Sequence, residues 1–215
     1  MKILIACEYS QVVCQAFLRR GHDAMSCDTL PTEGDKKRHI QDDVRNVLHL
    51  GWDAMIAHPP CTYLTASAEW AYKDYQNKNM KQGTLFGQDR REAREDAVRF
   101  FLDLANAPID KIAIENPIGV MSTRWREPDQ FIQPYEYGED ASKRTCLWLK
   151  NFPLLKPTNL VKPRLALSKD GRSYTFRWGN QTDSGQNKLP PSDDRGHIRS
   201  KTPQGWADAM ALQWG

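Results

Sequence analysis

Short apolar runs alternate with longer amphipathic or polar segments through the first 150 residues, and this alternation constrains the fold more than any other feature of the sequence. Each run is consistent with a buried parallel strand. Strands that alternate with helices are typical of parallel α/β sheets. The predicted strands are KILIA at 2–6, HDAMSCD at 22–28, WDAMIAH at 52–58, KIAIENP at 111–117 and KRTCLWL at 143–149.

The connecting segments contain two predicted helices. One covers residues 11–21, and the clearer one covers 89–107, where Asp89 is the predicted N-cap. The apolar stripe of this second helix consists of Val98, Phe101, Leu102 and Ala105. Residues 40–51 predict a turn and a short helix. Residues 65–88 predict a long surface loop, and long loops in compact domains are often functional.

Polar and reactive residues follow the predicted strands, where ligands bind in parallel sheets. These residues are Cys7, Glu8, Tyr9 and Ser10, then Asp28, then His58, Pro59, Pro60 and Cys61, and finally Glu115, Asn116 and Pro117. Cys61 and Glu115 meet at one edge of the sheet if their strands are neighbours. A thiolate attacks carbon, and a nearby carboxyl group can share a proton with the electrophile. The alternative is that Cys61 is a packing residue and Glu115 a cap or surface residue.

The composition excludes several classes of protein. The five cysteines are odd in number and include no CxxC pair, and the five histidines form no HxH or HxxxH pair, so neither disulfides nor a metal site is expected. No apolar run approaches the roughly 20 residues of a membrane span. The N-terminal sequence shows no signal-peptide pattern, and we expect a cytoplasmic protein. The sequence predicts no particular oligomeric state.

The charge is unevenly distributed. Residues 150–201 carry eleven basic and four acidic side chains, a net charge of +7, whereas the whole chain is only +3 and the remainder is therefore −4. A basic segment on a nearly neutral body indicates a polyanionic partner, and we expect nucleic acid. Within it, Tyr174, Phe176 and Trp178 alternate at strand spacing. This aromatic face is interpreted as core rather than as a base-stacking platform.

The motifs ACEYS, SCD, HPPCTYLT, ENP and KRTCLWL, taken in this order, resemble the cytosine-C5 DNA methyltransferase family, and most closely a compact, phage-type branch of it. The resemblance covers residues 1–150 and the last helix. It implies a Rossmann-like class I methyltransferase sheet with flanking helices, in a bacterial or phage-infected cell. The predicted division is a methyltransferase-like domain at 1–150, a basic and partly β substrate-facing segment at 151–201, and a C-terminal helix at 202–215 that packs back on the core.

The resemblance implies a role for each matching residue. Cys61 attacks C6 of a pyrimidine, Glu115 hydrogen-bonds N3 and assists its protonation, and Asn116 holds the loop that positions Glu115. Arg144, with Lys143 beside it, contacts Glu115 or the substrate backbone, and Thr62 lies on the substrate side. S-adenosylmethionine lies over the first loop. Its implied contacts are Cys7, Glu8, Tyr9, Ser10, Asp28 (ribose), Asp43 (adenine amino group), His58 and Pro59.

Three departures from the family pattern motivate other hypotheses. The first loop, CEYSQVV, contains no glycine, although glycines normally let the backbone approach the cofactor. Thr62 stands where the family has glutamine, and about 50 residues are too few for its usual recognition domain. One alternative is therefore an enzyme that modifies a free nucleotide or an already modified base. Another is a degenerate, non-catalytic DNA-binding protein. His58 could also be a strand-end donor or a substrate contact, and Asp43 a helix cap in competition with Asp42.

Overall fold

The computed structural model describes residues 1–74, 83–168, 171–192 and 194–215. The strands are β1 (Lys2–Ala6), β2 (Asp23–Asp28), β3 (His39–Gln41), β4 (Ala54–Ala57), β5 (Lys111–Pro117), β6 (Gln130–Ile132), β7 (Thr145–Lys150), β8 (Arg164–Leu167) and β9 (Tyr174–Arg177). The helices are α1 (Val12–Leu18), α2 (Gly87–Ala105), α3 (Met121–Arg124), α4 (Arg195–Ser200) and α5 (Gln204–Trp214).

Seven strands form one mixed sheet in the order β3-β2-β1-β4-β5-β7-β6. The first five are parallel, whereas β7 runs antiparallel to both β5 and β6. Helices cover both faces, which confirms the predicted Rossmann-like α/β fold. The central strands are buried on both faces, and this explains why they are continuous apolar runs rather than alternating ones.

Two apolar clusters lie on opposite faces of the sheet. Alternate residues of β1 point to opposite sides, so Ile3 and Ile5 pack with α1 and α5, while Leu4 and Ala6 pack with α2. The largest buried side chains of these helices are Phe17, Trp206 and Trp214 on one face and Phe101 and Leu104 on the other. The C-terminal helix α5 thus lies against α1. The division of the chain into segments 1–150, 151–201 and 202–215 stays a prediction.

Several local predictions need correction. β3 and β6 were not predicted, since each has only three residues and lies at an edge of the sheet. Asp89 is not the N-cap of α2, because this helix begins at Gly87 after the N-cap residue Phe86. Asp89 lies in the first turn instead, where its negative charge interacts favourably with the helix dipole. The predicted loop at 65–88 contains a 3₁₀ turn at Glu69–Tyr72, and its residues 75–82 lie outside the described residues.

The aromatic face at Tyr174 and Phe176 is not core. Both side chains are exposed, because β8 and β9 form a separate two-stranded ribbon and nothing in the described chain packs on this face. No helix among the described residues is long and apolar enough to cross a lipid bilayer.

Gln11 ties the first loop to the segment that follows β2. It is buried, and its side-chain nitrogen donates to Ser26 Oγ (3.1 Å) and to the carbonyl oxygens of Asp35 (2.9 Å) and Arg38 (3.1 Å). Its side-chain oxygen accepts from Asp35 N at 2.7 Å. One amide group therefore satisfies four polar groups of the surrounding chain.

We predict that Gln11→Leu destabilises the fold by roughly 2–4 kcal/mol, because each buried group left without a partner costs about 1–3 kcal/mol. Urea denaturation gives the free energy of unfolding. Gln41→Leu, at an exposed glutamine, is the matched control and is expected to change stability by less than about 0.5 kcal/mol. Equal effects of the two variants would contradict the assigned role of Gln11.

Candidate active site

The parallel pairing of β4 with β5 brings two predicted motifs to one edge of the sheet. Ala57 is paired with Ile114, so the next residues lie side by side: His58 directly follows β4, and Glu115 lies within β5, where it is paired with Leu147 of β7. The amide of His58 still donates to the carbonyl oxygen of Ala6 at 2.9 Å and so stays in the sheet ladder. Local backbone pairing therefore positions the residues that the sequence places at the two strand ends.

His58 and Glu115 form a buried hydrogen-bonded pair. His58 Nδ1 lies 3.2 Å from Glu115 Oε2, and both side chains are about nine-tenths buried. Glu115 Oε1 and His58 Nε2 are buried and have no hydrogen-bond partner among the residues that the structure describes. Since buried polar atoms are nearly always paired, unpaired atoms at one point indicate a place where a ligand would supply the missing bonds.

Asn116 holds the turn that carries Cys61. Its side-chain nitrogen donates to the carbonyl oxygen of Pro59 at 2.7 Å, in a buried position, and its side-chain oxygen is a third buried atom without a partner. Asn116 was predicted to hold the loop of Glu115, but it contacts the Cys61 turn instead. The proline pair limits the backbone of this turn, and the bond from Asn116 fixes it to β5.

A close backbone contact further aligns the two loops. Val120 N donates to the carbonyl oxygen of Leu64 at 2.8 Å, and a Cβ on Gly119 would lie 1.9 Å from that same oxygen. Only glycine fits at position 119 without moving the loop that begins at Cys61.

Cys61 is exposed, with Thr62 exposed beside it. Partial burial of the sulfur raises the pKa of the Cys61 thiol above its ordinary 9.0, and the Glu115 carboxylate raises it further, while Lys143 and Arg199 act in the opposite direction. The proton therefore resides on sulfur at neutral pH.

Glu115 shows the opposite tendency. Burial alone raises its pKa, but the charge of Lys143 and the hydrogen bond from His58 outweigh burial, so the pKa of the Glu115 carboxyl lies below its ordinary value. The site thus combines a protonated thiol with an ionised carboxylate. Such a pair can move one proton from sulfur to a bound substrate.

The structure brings Lys143, and not Arg144, to Glu115. The Arg144 guanidinium lies over the Phe131 ring at 3.9 Å, on the other side of the chain. Consecutive residues of an extended chain point to opposite faces, so only one of the two cations can face the site. The Lys143 ammonium donates to the carbonyl oxygen of Arg199 at 3.4 Å, which places the C-terminal end of α4 beside the site.

The first loop adopts a special backbone conformation although it has no glycine. Cys7 and Gln11 both have φ of 59°, a left-handed conformation that costs roughly 1–2 kcal/mol for a residue with a side chain. Glu8 accepts from the amides of Val13 (2.7 Å) and Cys14 (3.1 Å) and so caps α1. Both carboxylate oxygens of Glu8 thus bind amides of α1 and stabilise the conformation of the first loop. The contact of Glu8 with the cofactor stays a prediction.

Helix α4 crosses the first loop at Tyr9. The Tyr9 hydroxyl lies 3.0 Å from His197 Nδ1 and 2.9 Å from Ser200 Oγ, and the two rings are stacked with centroids 5.0 Å apart. Glu33 anchors the same helix by ion pairs of 2.8 Å to His197 and to Lys201. The basic C-terminal segment thus forms one wall beside the loop, with Ser10 half-buried behind Tyr9.

Three residues predicted to hold the cofactor, Cys7, Asp28 and Asp43, line a cavity of about 100 Å³. Pro60, which is not among the predicted contacts, and Phe100 of α2 also line it. A carboxylate at the end of β2 and an aromatic ring suit the ribose and base of a nucleoside. Because ligand pockets usually exceed roughly 300 Å³, this cavity would enclose only part of S-adenosylmethionine.

The two aspartates of this cavity differ. Asp28 Oδ1 accepts from the amide of Leu30 at 2.9 Å. Asp43 caps the 3₁₀ turn Val44–Asn46 and forms a bidentate pair with Arg45, whose hydrogen bonds lower the pKa of the Asp43 carboxyl. The capping alternative for Asp43 is thus present in the structure, and its contact with adenine stays a prediction.

Sequence reasoning named His58 as a cofactor contact, with a strand-end donor or a substrate contact as alternatives, but missed its hydrogen bond to Glu115. The signal was available, because the residues before them, Ala57 and Ile114, are paired in β4 and β5. Sequence reasoning missed Phe100 altogether. Phe100 carried no signal, because it reads as one more apolar residue of an amphipathic helix.

No protein-family model matches the chain, and no curated protein matches it. Among solved structures, the chain is similar to a candidate DNA modification methyltransferase encoded within a prophage, from E. coli, with a TM-score of 0.43 and 12% identity. The match covers 74% of this chain and 51% of that one, so the chain spans about half of its length. The chemistry of the candidate site is therefore derived from the side chains of this chain.

We predict that iodoacetamide labels Cys61 selectively in the folded protein, because Cys14, Cys27 and Cys146 are buried and Cys7 is partly so. Its rate should rise about tenfold per pH unit through neutral pH, since the thiolate reacts and the pKa lies above 9.0.

Two charge variants should change this rate in opposite directions. Glu115→Gln removes a nearby negative charge and should speed labelling at neutral pH, whereas Lys143→Gln removes a positive charge and should slow it. Mass spectrometry of modified peptides over a pH series measures the rates, and Lys111→Gln is the remote control. A common direction for both variants would contradict the electrostatic coupling.

Proposed function

We propose that the protein transfers a methyl group from S-adenosylmethionine to C5 of cytosine in DNA through a covalent adduct on Cys61. The observation that supports it is the pair of buried polar atoms, His58 Nε2 and Glu115 Oε1, that have no partner among the described residues and lie where Asn116 fixes the turn of Cys61. A nucleophile lies beside an incomplete hydrogen-bonding site, which is the arrangement that a reactive polar ring would complete.

The chemistry of the unpaired atoms suits an amino-bearing pyrimidine. Glu115 Oε1 is an acceptor, and cytosine offers the N4 amino group as donor with N3 beside it. His58 Nε2 can accept or donate according to its tautomer. In a duplex the base must leave the stack to reach a thiol, at a cost of a few kcal/mol.

The proton inventory of the site allows the addition step to balance. The Cys61 sulfur forms a bond to C6, the C5=C6 electron pair shifts to make a C4=C5 bond, the C4=N3 electron pair moves onto N3, and N3 takes a proton. That proton leaves sulfur and reaches N3 by way of the Glu115 carboxylate, which starts ionised and ends ionised. Lys143 stabilises both anionic forms, and His58 holds Glu115 Oε2 so that Oε1 faces the ring.

S-adenosylmethionine supplies the methyl group when bound, and Asp28, Phe100 and Asp43 would hold its nucleoside part beside Pro60. Water then takes the C5 proton as the C5=C6 bond re-forms and the C6–S bond breaks, and the N3 proton returns by way of Glu115 to the released Cys61 sulfur. The left-handed residues Cys7 and Gln11 let the first loop bend without glycine, which speaks against the degenerate, non-catalytic alternative.

We predict that Cys61→Ser abolishes methyl transfer and prevents a covalent complex with 5-fluorocytosine DNA, because the adduct forms on sulfur. Mass spectrometry of nucleosides measures the product, and denaturing electrophoresis measures the complex. Glu115→Gln should lower kcat by about 10²- to 10⁴-fold, as expected for loss of a proton-transferring group. Turnover by the serine variant would refute the role of Cys61.

Controls separate the alternatives. Cys146→Ser, at a buried cysteine, should keep the activity, and Cys61→Ser should bind S-adenosylmethionine like the wild type in calorimetry. Product from deoxycytidine monophosphate but not from DNA would favour the nucleotide-modifying enzyme. Absence of any S-adenosylmethionine binding by the wild type would favour the non-catalytic protein.

We also predict that His58→Phe moves the acidic limb of the pH profile of kcat/KM to higher pH. The reaction needs ionised Glu115, and removing the hydrogen bond from His58 removes one of the interactions that lower its pKa. His58→Asn, which can place an N–H near the Nδ1 position, should restore the limb, and the exposed His49→Phe is the control. An unchanged acidic limb in His58→Phe would rule out this positioning role.

A further inference from the structure

The ribbon of β8 and β9 has one exposed apolar face. Leu165 is paired with Phe176, and Leu167 with Tyr174, so the four side chains lie directly across the ribbon from one another. Their exposed fractions are 62%, 62%, 49% and 68%, respectively. A contiguous face of two aromatic and two aliphatic side chains at this exposure is unusual for a surface without a partner.

The opposite face of the ribbon is covered. Arg164 forms an ion pair with Asp183 at 2.6 Å, Arg177 Nε donates to the carbonyl oxygen of Asp183 at 3.1 Å, and Ala166 is buried. The following loop therefore occupies this polar side. In the part of the chain that the structure describes, only the apolar side lacks a covering element.

The base of the ribbon is anchored to the segment that enters the candidate active site. Asn180 and Ser142 exchange two hydrogen bonds, from Ser142 N to Asn180 Oδ1 (3.0 Å) and from Asn180 Nδ2 to Ser142 O (2.9 Å). Trp178 stacks on Tyr135 with ring centroids 4.4 Å apart. Because Ser142 directly precedes Lys143, the ribbon is fixed to the substrate side of Cys61 and Glu115.

We propose that this ribbon is a DNA-contacting element whose apolar face meets the bases near the target cytosine. The surrounding segment, residues 150–201, has the net charge of +7 that a polyanion would complement. A two-stranded ribbon fits the major groove, and exposed rings can stack on unpaired bases. A second copy of the chain fits less well, because it would bring two strongly positive segments together.

The element explains how a short chain can engage DNA without a large recognition domain. The aromatic and aliphatic side chains contact base faces and methyl groups, which differ little among sequences, while the cations contact phosphates. The ribbon thus adds affinity beside the site more than it adds sequence specificity. This inference rests on the proposed function for its choice of DNA but makes a separate statement about binding.

We expect Leu165→Ser/Phe176→Ser to weaken binding to a fluorescein-labelled duplex containing cytosine by about 10- to 100-fold, in line with the loss of base contacts. Fluorescence anisotropy over a salt series measures it. The slope of log affinity against log salt should stay unchanged, because no cation is lost. Lys162→Gln should instead reduce that slope, by about 0.9 for each lost phosphate contact.

Further variants keep the test independent of ribbon folding. Tyr174→Ser removes one ring near the tip, and Phe176→Trp keeps an aromatic face and should bind like the wild type. Leu212→Ser, at an exposed leucine of α5, is the matched control and should change nothing. Unchanged DNA affinity in Leu165→Ser/Phe176→Ser and in Tyr174→Ser would overturn the proposal. A loss of self-association in place of a loss of DNA binding would overturn it as well.

The outcomes separate this inference from the proposed function. DNA binding that depends on the ribbon, without a methylated product, would overturn the function and keep the ribbon's role. A methylated DNA product with unchanged binding by the serine variants would keep the function and overturn the ribbon's role.

Discussion

The parallel pairing of β4 with β5 is the constraint on which the candidate site depends. It places His58 next to Glu115 and lets Asn116 reach the carbonyl oxygen of Pro59, so that the thiol and the carboxylate share one rigid support. Neither strand end could shift by one residue without turning its side chains to the other face. The positions of Cys61 and Glu115 therefore follow from sheet register, and the proline pair and Gly119 refine them.

The first loop shows a second solution to a constraint usually met by glycine. Two residues with side chains, Cys7 and Gln11, adopt the left-handed conformation. The side-chain amide of Gln11 is held by its hydrogen bonds to Asp35, and Cys7 packs against the apolar cluster on the α2 face of the sheet. Glu8 meanwhile caps α1 from within the loop. The loop is consequently held by side-chain bonds, which makes its shape more sensitive to substitution than a glycine-rich loop would be.

The sequence allowed the sheet to be predicted, because buried strands are apolar runs, and the pairing of β4 with β5 meets the condition under which Cys61 and Glu115 share one edge. It did not allow β3 and β6 to be predicted, since three-residue edge strands carry no periodic signal. The choice between Lys143 and Arg144 depended on where β7 begins, which no local pattern determines. Tyr174 and Phe176 alternated as a core strand does, and only the absence of a covering layer made them a surface.

The environments of Cys61 and Glu115 shift their pKa values in opposite directions, so that the thiol keeps its proton while the carboxylate is ionised and can accept one. A cysteine next to a carboxylate is a poor nucleophile in isolation, because the negative charge raises the pKa of the thiol. The same carboxylate is an ionised acceptor, since Lys143 and His58 outweigh its burial. The thiol therefore reacts slowly at neutral pH while the site is empty, and under the proposed function it becomes a strong nucleophile when a bound ring takes up its proton. The buried atoms Glu115 Oε1 and His58 Nε2, which have no partner among the described residues, would select that ring by its hydrogen-bonding groups.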